Sequence, residues 1–210
     1  MIKNKRAFVK LGVGTLAVSV LVLIIYFILF AQAGNFSVTP ASFSVNEDVN
    51  SLFNITINNT DSTQNITVVN ITLFSAFTFV SGSNGTSASD TVFSNTTTVL
   101  TWGNTTAIGF IINGTNQFAR FWFNATAATP GNYNFNVTIA FTDETVNSTN
   151  LSVQINDTTM PTFSDNSTNG TIAGYAIQHR LLWNDNVGLS TYIFSFDNGT
   201  GTFTNDTSVG

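Results

Sequence analysis

The 210-residue chain has no cysteine and only one histidine, and these two features exclude most side-chain chemistry. Without cysteine the chain has no disulfide framework, thiolate nucleophile, iron–sulfur cluster or cysteine-based zinc site. Charge is also scarce, since Asp, Glu, Lys and Arg make up 8% of the residues, about a third of the usual share. Twenty phenylalanines still supply apolar surface, so the composition is not that of a disordered acidic tail.

The few positive charges are concentrated at the N-terminus. No acidic residue precedes Glu47, and four of the six cations lie in residues 1–10, namely Lys3, Lys5, Arg6 and Lys10. Residues 11–30 are uncharged and, as a helix, span about 30 Å, the thickness of a bilayer core. We therefore predict a basic cytoplasmic segment at 1–10 and a transmembrane signal-anchor helix at 11–33 that contacts lipid through residues 11–30. The positive-inside rule then places the rest of this single-pass membrane protein outside the cell.

The N-terminal segment has two alternative interpretations. The tripeptide Ala31-Gln32-Ala33 fits a signal-peptide cleavage site, although the apolar run exceeds the usual 7–15 residues of such peptides. A pilin-like leader cut near Arg6-Ala7 is the other possibility, with Phe8 as the first mature residue. Gly12 stands where bacterial pilins carry a glutamate, so we favour the retained anchor.

Beyond residue 34 the apolar residues alternate with polar ones, as in strands with one buried and one wet face. Phe53, Ile55 and Ile57 follow this pattern, and so does the run from Tyr133 to Phe141. Val68-Val69 breaks the alternation, which indicates a β-bulge or a strand buried on both faces. We predict an all-β fold, an Ig-like Greek-key sandwich over residues 35–156. The further strand candidates are 66–73, 77–80, 97–102, 108–112, 118–126 and 151–155.

Aromatic burial must hold this sandwich together because no disulfide is available. The predicted core residues are Phe53, Trp102, Phe110, Phe121, Trp122, Phe123, Phe135 and Phe141. Arg120 shares a strand face with Phe118 and Trp122. We expect its guanidinium to lie over exposed rings at a sheet edge, with a ligand-gripping role as the alternative.

The distinctive motif is Asn-x-Ser/Thr, the acceptor for N-linked glycans. In a strand the Asn and the Ser/Thr share one face while the middle residue faces the core, as we expect for Ile55, Ile66, Ile71 and Val137. One triplet then serves both the strand pattern and glycan attachment, although Asn and Thr also serve simply as polar strand residues. The candidate acceptors are Asn35, Asn54, Asn58, Asn65, Asn70, Asn84, Asn95, Asn104, Asn113, Asn124, Asn136, Asn147, Asn150, Asn156, Asn166, Asn169, Asn198 and Asn205.

A second β-domain is predicted to begin at residue 157, after the turn-prone stretch that contains Pro161. About three strands are expected in residues 157–210, fewer than a sandwich needs. The domain is therefore expected to be incomplete in this sequence, or else completed by strand addition from another chain.

Two stretches carry a family resemblance. Residues 129–137, Thr-Pro-Gly-Asn-Tyr-Asn-Phe-Asn-Val, resemble the turn and penultimate strand of Ig-like and fibronectin-III-like surface modules. Residues 182–194, with Asp157-Thr-Thr-Met-Pro161 before them, are similar to Ig-like repeats of archaeal cell-surface glycoproteins. The resemblance implies tandem β-sandwich repeats behind an N-terminal membrane anchor. The Cys…Trp…Cys core of many extracellular Ig domains is missing.

Candidate chemistry is sparse, and we predict no catalytic, cofactor-binding or metal-ligating residue. His179 has no second histidine or cysteine to share a metal with, and we expect it at a surface or strand edge. The pairs Glu47-Asp48 and Asp143-Glu144 are expected in solvated turns rather than in a glycosidase site. Calcium binding is a more serious possibility than catalysis, with oxygen ligands offered by Asp185, Asn186, Asp197 and Asn198. Nucleic acid is excluded as a partner, because the part after residue 33 has two arginines against eleven carboxylates.

Three functions remain from the sequence. The first is a non-enzymatic, glycosylated, membrane-anchored structural or adhesion protein, with N-linked glycans, other envelope proteins or copies of itself as partners. The second is a filament subunit, either pilin-like or assembled by strand donation. The third is the anchor and stalk of a larger surface enzyme.

Overall fold

The computed structural model describes residues 34–105, 109–170, 172, 174–175, 177–193, 195–197 and 201–205. These residues contain fifteen strands and no helix, so the all-β prediction is confirmed. Within the same residues no helix is long and apolar enough to cross a membrane. The predicted basic segment at 1–10 and the predicted transmembrane helix at 11–33 lie outside the described residues.

Eleven strands between Phe36 and Asn156 form two sheets. Their bounds are β1 Phe36–Thr39, β2 Ser42–Asn46, β3 Ser51–Asn59, β4 Ile66–Thr72, β5 Phe77–Phe79, β6 Gly85–Thr86, β7 Thr91–Asn95, β8 Val99–Asn104, β9 Phe118–Ala127, β10 Gly131–Phe141 and β11 Val146–Asn156. The first sheet has the order β1-β3-β9, with β5 and β6 both pairing the far side of β9. The second has the order β2-β11-β10-β4-β8-β7.

The chain enters both sheets with its first two strands. After β1 pairs antiparallel with β3, a cis peptide at Thr39-Pro40 precedes β2, which pairs in parallel with β11. The remaining sandwich strands pair antiparallel, including the long β10–β11 hairpin from Gly131 to Ile155. The second and last strands of the sandwich are thereby paired.

The core lies between the two sheets and is rich in aromatic rings. Phe53 on β3 meets Phe135 on β10 across the sandwich, with ring centroids 5.2 Å apart, and Phe123 stacks on Phe53 at 5.3 Å. Trp102 packs edge-on against Phe121 at 5.4 Å. The predicted core positions confirmed as buried are Phe53, Trp102, Phe121, Phe123, Phe135 and Phe141.

Two predicted core residues are wrong. Trp122 stands between the fully buried Phe121 and Phe123, and the two-residue period of a strand therefore turns it to the outer face, where its ring covers Gly85. Phe110 is 38% exposed because Ile111 and Ile112 take the buried positions of an irregular segment. The predicted strand at 108–112 is accordingly absent from its described part, which makes only an isolated bridge from Ile112 to Ile66.

The break in alternation near Val68 is a register irregularity, as predicted. Phe141 pairs with Ile66 while Ala140 pairs with Val68, so Thr67 is the extra residue on β4. The Thr67 hydroxyl donates to the Ala140 carbonyl oxygen at 3.1 Å. The extra residue shifts the alternation of side chains by one position, and for this reason Ile66 before it and Val69 after it both face the core and are fully buried.

After Asn156 the described residues form two separate antiparallel pairs rather than the three strands expected. The strands are β12 Thr162–Thr168, β13 His179–Asn184, β14 Ser195–Asp197 and β15 Phe203–Asn205. Every residue of β12 and β13 is exposed, including the contacting rings of Phe163 and Trp183. This pair of strands thus presents apolar side chains that the described residues leave uncovered.

Candidate functional site: the sequon surface and the Glu47 junction

The glycan-acceptor asparagines are distributed over the whole described surface. Seventeen of the eighteen candidates are described, and each of these is exposed or half-buried; Asn198 lies outside the described residues. Asn59, by contrast, is completely buried; it is the middle residue of the Asn58-Asn59-Thr60 triplet and not an acceptor. The described acceptor asparagines are therefore all at least partly accessible.

The strand sequons have the geometry expected from the sequence. In Asn54-Ile55-Thr56 the isoleucine is buried while its neighbours face solvent. The same arrangement holds for the triplets centred on Ile66, Ile71 and Val137, which are all fully buried. The expectation that the middle residue faces the core is confirmed at all four positions.

Hydrogen bonds separate Asn156 from the other acceptors. Its side-chain Nδ2 donates to Ser44 Oγ at 3.0 Å and to Asn46 Oδ1 at 3.2 Å, which ties β11 to β2. An Asn amide has two N–H groups, and N-glycosylation replaces one of them. Asn136 Nδ2, by comparison, donates one bond, to Asn150 Oδ1, and keeps the second N–H for a sugar. Both side-chain N–H groups of Asn156 are therefore used in hydrogen bonds within the fold.

A buried carboxylate, Glu47, forms the junction between the sandwich and the chain beyond it. Its Oε1 accepts hydrogen bonds from Thr159 Oγ1 at 2.6 Å, Thr159 N at 2.7 Å and Thr158 N at 2.9 Å. Its Oε2 accepts from Asn186 Nδ2 at 2.7 Å. Only 4% of Glu47 is exposed, so the expectation that the Glu47-Asp48 pair lies in a solvated turn is wrong for Glu47.

These contacts determine the charge state of the junction. The Thr159 hydroxyl and the Thr158 amide, with further hydrogen bonds from Thr159 N and Asp157, lower the pKa of Glu47 to about 2. Desolvation raises the pKa of Asp157, as do its hydrogen bond to Glu47 and the charges of Asp185 and Glu47. Glu47 is therefore ionised at neutral pH, and the side chain of Asn186, 139 positions away in the sequence, is hydrogen-bonded to it.

A shallow groove of about 370 Å³ lies on the outer face of the first sheet. It is lined by Thr56, Asn58, Asn116, Phe118 and Arg120. Arg120 lies on β9, which has paired neighbours on both sides, so the expected position at a sheet edge is wrong. The shared face with Phe118 is confirmed, and that ring is 61% exposed.

The remaining candidate residues make local structural contacts. Asp143 Oδ1 accepts from Thr145 N and Oγ1, which confirms a solvated turn at Asp143-Glu144. His179 is exposed on β13, with its Nδ1 2.9 Å from Thr168 Oγ1. Asp185 Oδ1 accepts from the amides of Val187 and Gly188. Among the described residues no three His, Cys, Asp or Glu side chains are grouped to hold a metal ion.

Comparisons with known proteins give only distant matches. No family model matches the chain, and no curated protein matches it. Among solved structures, a Corynebacterium diphtheriae protein described as membrane-anchored matches at 8% identity and TM-score 0.43, over 60% of this chain and 36% of its own. A family 123 glycoside hydrolase of Clostridium perfringens matches at 13% identity and TM-score 0.34, over 60% and 28%. CaCohA2 of Clostridium acetobutylicum matches at 12% identity and TM-score 0.35, over 59% and 92%.

The chain thus covers about a third of the length of the first two of these proteins. Matches this distant carry no argument about activity or partners. The class that the geometry itself defines is an all-β sandwich with many Asn-x-Ser/Thr triplets on its outer faces.

Proposed function

We propose that the chain is a membrane-anchored, N-glycosylated extracellular structural or adhesion protein that displays Ig-like modules and performs no catalysis of its own. The observation that carries this proposal is the surface of the sandwich. Arg120 is the only charged residue in β1–β11, and sequon asparagines take a large part of the polar strand positions. Hydrated sugars on these asparagines supply the solubility that charged side chains give to other proteins.

The strand order supports the Ig-like part of the proposal. The order β1-β3-β9-β5 corresponds to strands A-B-E-D of an Ig domain, and β11-β10-β4 corresponds to G-F-C. Phe53 and Phe135 then occupy the B and F strands, which a disulfide joins in antibody domains. One departure is that the chain forms β5 and β6 beside β9 before it adds β7 and β8 to the other sheet.

The N-terminal sequence supports membrane attachment with the bulk of the chain outside the cell. The basic residues before residue 11, followed by the uncharged run to residue 30, are the basis for this orientation. The similarity of residues 157–161 and 182–194 to archaeal surface repeats supports a tandem array in a cell envelope.

A second candidate function is a filament subunit. It is favoured by the uncovered apolar side chains of β12 and β13, which include Phe163, Leu182 and Trp183. Exposed apolar surface of this kind is typical of contact sites between chains. In this alternative a strand from another copy covers the pair.

Mass spectrometry of the purified natural protein tests the proposal. Glycopeptides that carry sugars on strand sequons such as Asn54 and Asn124 are the expected result, together with a mature N-terminus at Met1 or Ile2. An N-terminus at Phe8 supports the pilin alternative, and one at Gly34 supports secretion without an anchor. A complete absence of glycans from Asn54, Asn124 and the other acceptors contradicts the proposal.

A further inference from the structure

The edge strands of the sandwich are short, two to five residues each, and they have no charged side chain to discourage pairing with other chains. An edge strand exposes unpaired N–H and C=O groups, and soluble proteins normally blunt it with lysines, prolines, bulges or very short length. The edges here are β1, β2, β7 and the broken strand β5/β6, and none of these strands contains a charged residue. Charge repulsion between edge-strand side chains therefore does not prevent the described edges from pairing with other chains.

One of the four edges, β2, has proline and carboxylates near its ends in place of charged residues within the strand. Strand β2 follows Pro40 and is succeeded by Glu47 and Asp48, so proline and carboxylates flank it on both sides. Of the other three edges, β1 is followed directly by Pro40 and β7 is preceded directly by Asp90, so each has such a residue at one end, while the β5/β6 edge has none directly beside either strand.

Each of these three edges also carries a sequon asparagine at a strand end. Asn35 immediately precedes β1, and its carbonyl oxygen accepts from Thr60 N at 3.1 Å, which continues the pairing with the β3 side. Asn84 immediately precedes β6, at the break of the β5/β6 edge. Asn95 is the last residue of β7.

The three asparagines are accessible for modification. Asn35 and Asn95 are exposed and Asn84 is half-buried. Asn95 Nδ2 donates one hydrogen bond, to Thr96 O at 3.1 Å, and retains its second N–H.

We infer that N-linked glycans on Asn35, Asn84 and Asn95 guard the sheet edges and keep the sandwich from pairing edge-to-edge with further copies. A branched, hydrated sugar at the end of an edge strand occupies the volume that an added strand needs. This inference rests on the proposed glycosylation and adds a distinct role for three of its sites.

The test compares two triple variants of the full chain, produced in a glycosylating host and extracted in mild detergent. The edge triple Asn35→Gln, Asn84→Gln and Asn95→Gln removes three glycans from edges. The matched control Asn54→Gln, Asn70→Gln and Asn124→Gln removes three from the interior strands β3, β4 and β9. A second edge triple, Ser37→Ala, Thr86→Ala and Thr97→Ala, removes the same glycans and keeps the asparagines.

Glycopeptide mass spectrometry, circular dichroism and size-exclusion chromatography with light scattering are the measurements. Both edge triples are expected to keep the wild-type circular dichroism spectrum and to shift from the wild-type mass to larger assemblies, while the control triple stays at the wild-type mass. Equal masses for edge and control triples overturn the inference, as does finding the three edge sites empty while Asn54 is glycosylated. Absence of glycan from every site overturns both the inference and the proposed function.

Discussion

The hydroxyl of Tyr133, near the start of β10, donates a hydrogen bond of 3.1 Å to the carbonyl oxygen of Thr129, on the other side of the Pro130-Gly131 turn. Tyr133 stands two residues before Phe135, the fully buried residue that meets Phe53 across the sandwich. A tyrosine corner in Ig domains has this spacing, with the second cysteine at the position of Phe135. The corner thus anchors the entry to the longest strand pair of the fold.

Replacing Tyr133 by Phe removes this hydrogen bond and leaves the ring contacts in place. We expect a loss of about 0.5–1.5 kcal/mol in the free energy of unfolding, the net value of one such bond. Urea denaturation of the full chain measures it. Tyr175→Phe is the control, because Tyr175 is 76% exposed and is expected to leave the urea midpoint unchanged.

The Phe53–Phe135 contact joins the two sheets at the centre of the core and is predicted to dominate the stability of the sandwich. Phe53→Ala is expected to lower the free energy of unfolding by about 3–5 kcal/mol, the usual cost of removing a buried phenyl ring. Phe118→Ala, on the adjacent strand but 61% exposed, is the matched control and is expected to stay within about 0.5 kcal/mol. Equal effects of the two variants contradict the assignment of Phe53 to the core.

Glu47→Gln tests the junction. The amide is isosteric but carries no charge, and an Nε2 donor replaces one of the two acceptor oxygens. The hydrogen bonds from Thr158, Thr159 and Asn186 are therefore weakened or lost. We predict faster hydrogen exchange at the Thr158 and Thr159 amides. Asp48→Asn is the control, because Asp48 is exposed at a positive φ of 55° that asparagine tolerates. Unchanged protection in Glu47→Gln contradicts the junction.

The lowered pKa of Glu47 predicts that the folded protein loses stability in acid. The pKa of Glu47 falls from 4.5 to about 2 on folding, so its contribution to stability is complete above pH 4.5 and is lost as the pH falls towards 2. The lowered pKa of Asp61, caused first by the Thr63 amide, acts in the same direction, whereas the raised pKa of Asp157 opposes it. Urea midpoints between pH 6 and pH 2 are therefore expected to fall less steeply in Glu47→Gln than in wild type. Parallel plots of urea midpoint against pH for the two proteins contradict the assignment of this acid sensitivity to Glu47.

Asn156 is predicted to remain unglycosylated in the folded protein although it heads an acceptor triplet. Both of its Nδ2 hydrogens are donated to β2 side chains, and a sugar removes one of them. Glycopeptide mass spectrometry compares its occupancy with that of Asn54, which is exposed on β3. High occupancy at Asn156 contradicts the prediction.

The sequence predicted the features that follow from a local repeat of apolar and polar residues, namely the long strands and the side chains that face the core. Alternation located the long strands and the inward-facing isoleucines, because a strand places every second side chain on the same face. The same rule placed Trp122 outward between Phe121 and Phe123, so counting it as core ignored the period of its own strand. Short edge strands such as β1, β6 and β7 were missed, since two to five residues give too little periodicity to detect.

The junction was not predictable for a different reason. Glu47 and Thr159 are 112 residues apart, and no spacing or motif connects them. Their contact depends on the parallel pairing of β2 with β11, which brings Glu47 beside the end of the last sandwich strand. Alternating patterns define strands but not their neighbours, and so the sequence indicated only a charged turn at this position.

The location of the bulk of the chain is the central claim, and protease treatment of intact cells tests it most directly. Added protease is expected to release peptides from residues 34–210, with glycans attached, while residues 1–10 stay protected until the cells are lysed. Peptides of the β-sandwich that remain protected in intact cells and appear only after lysis, without glycans, contradict it.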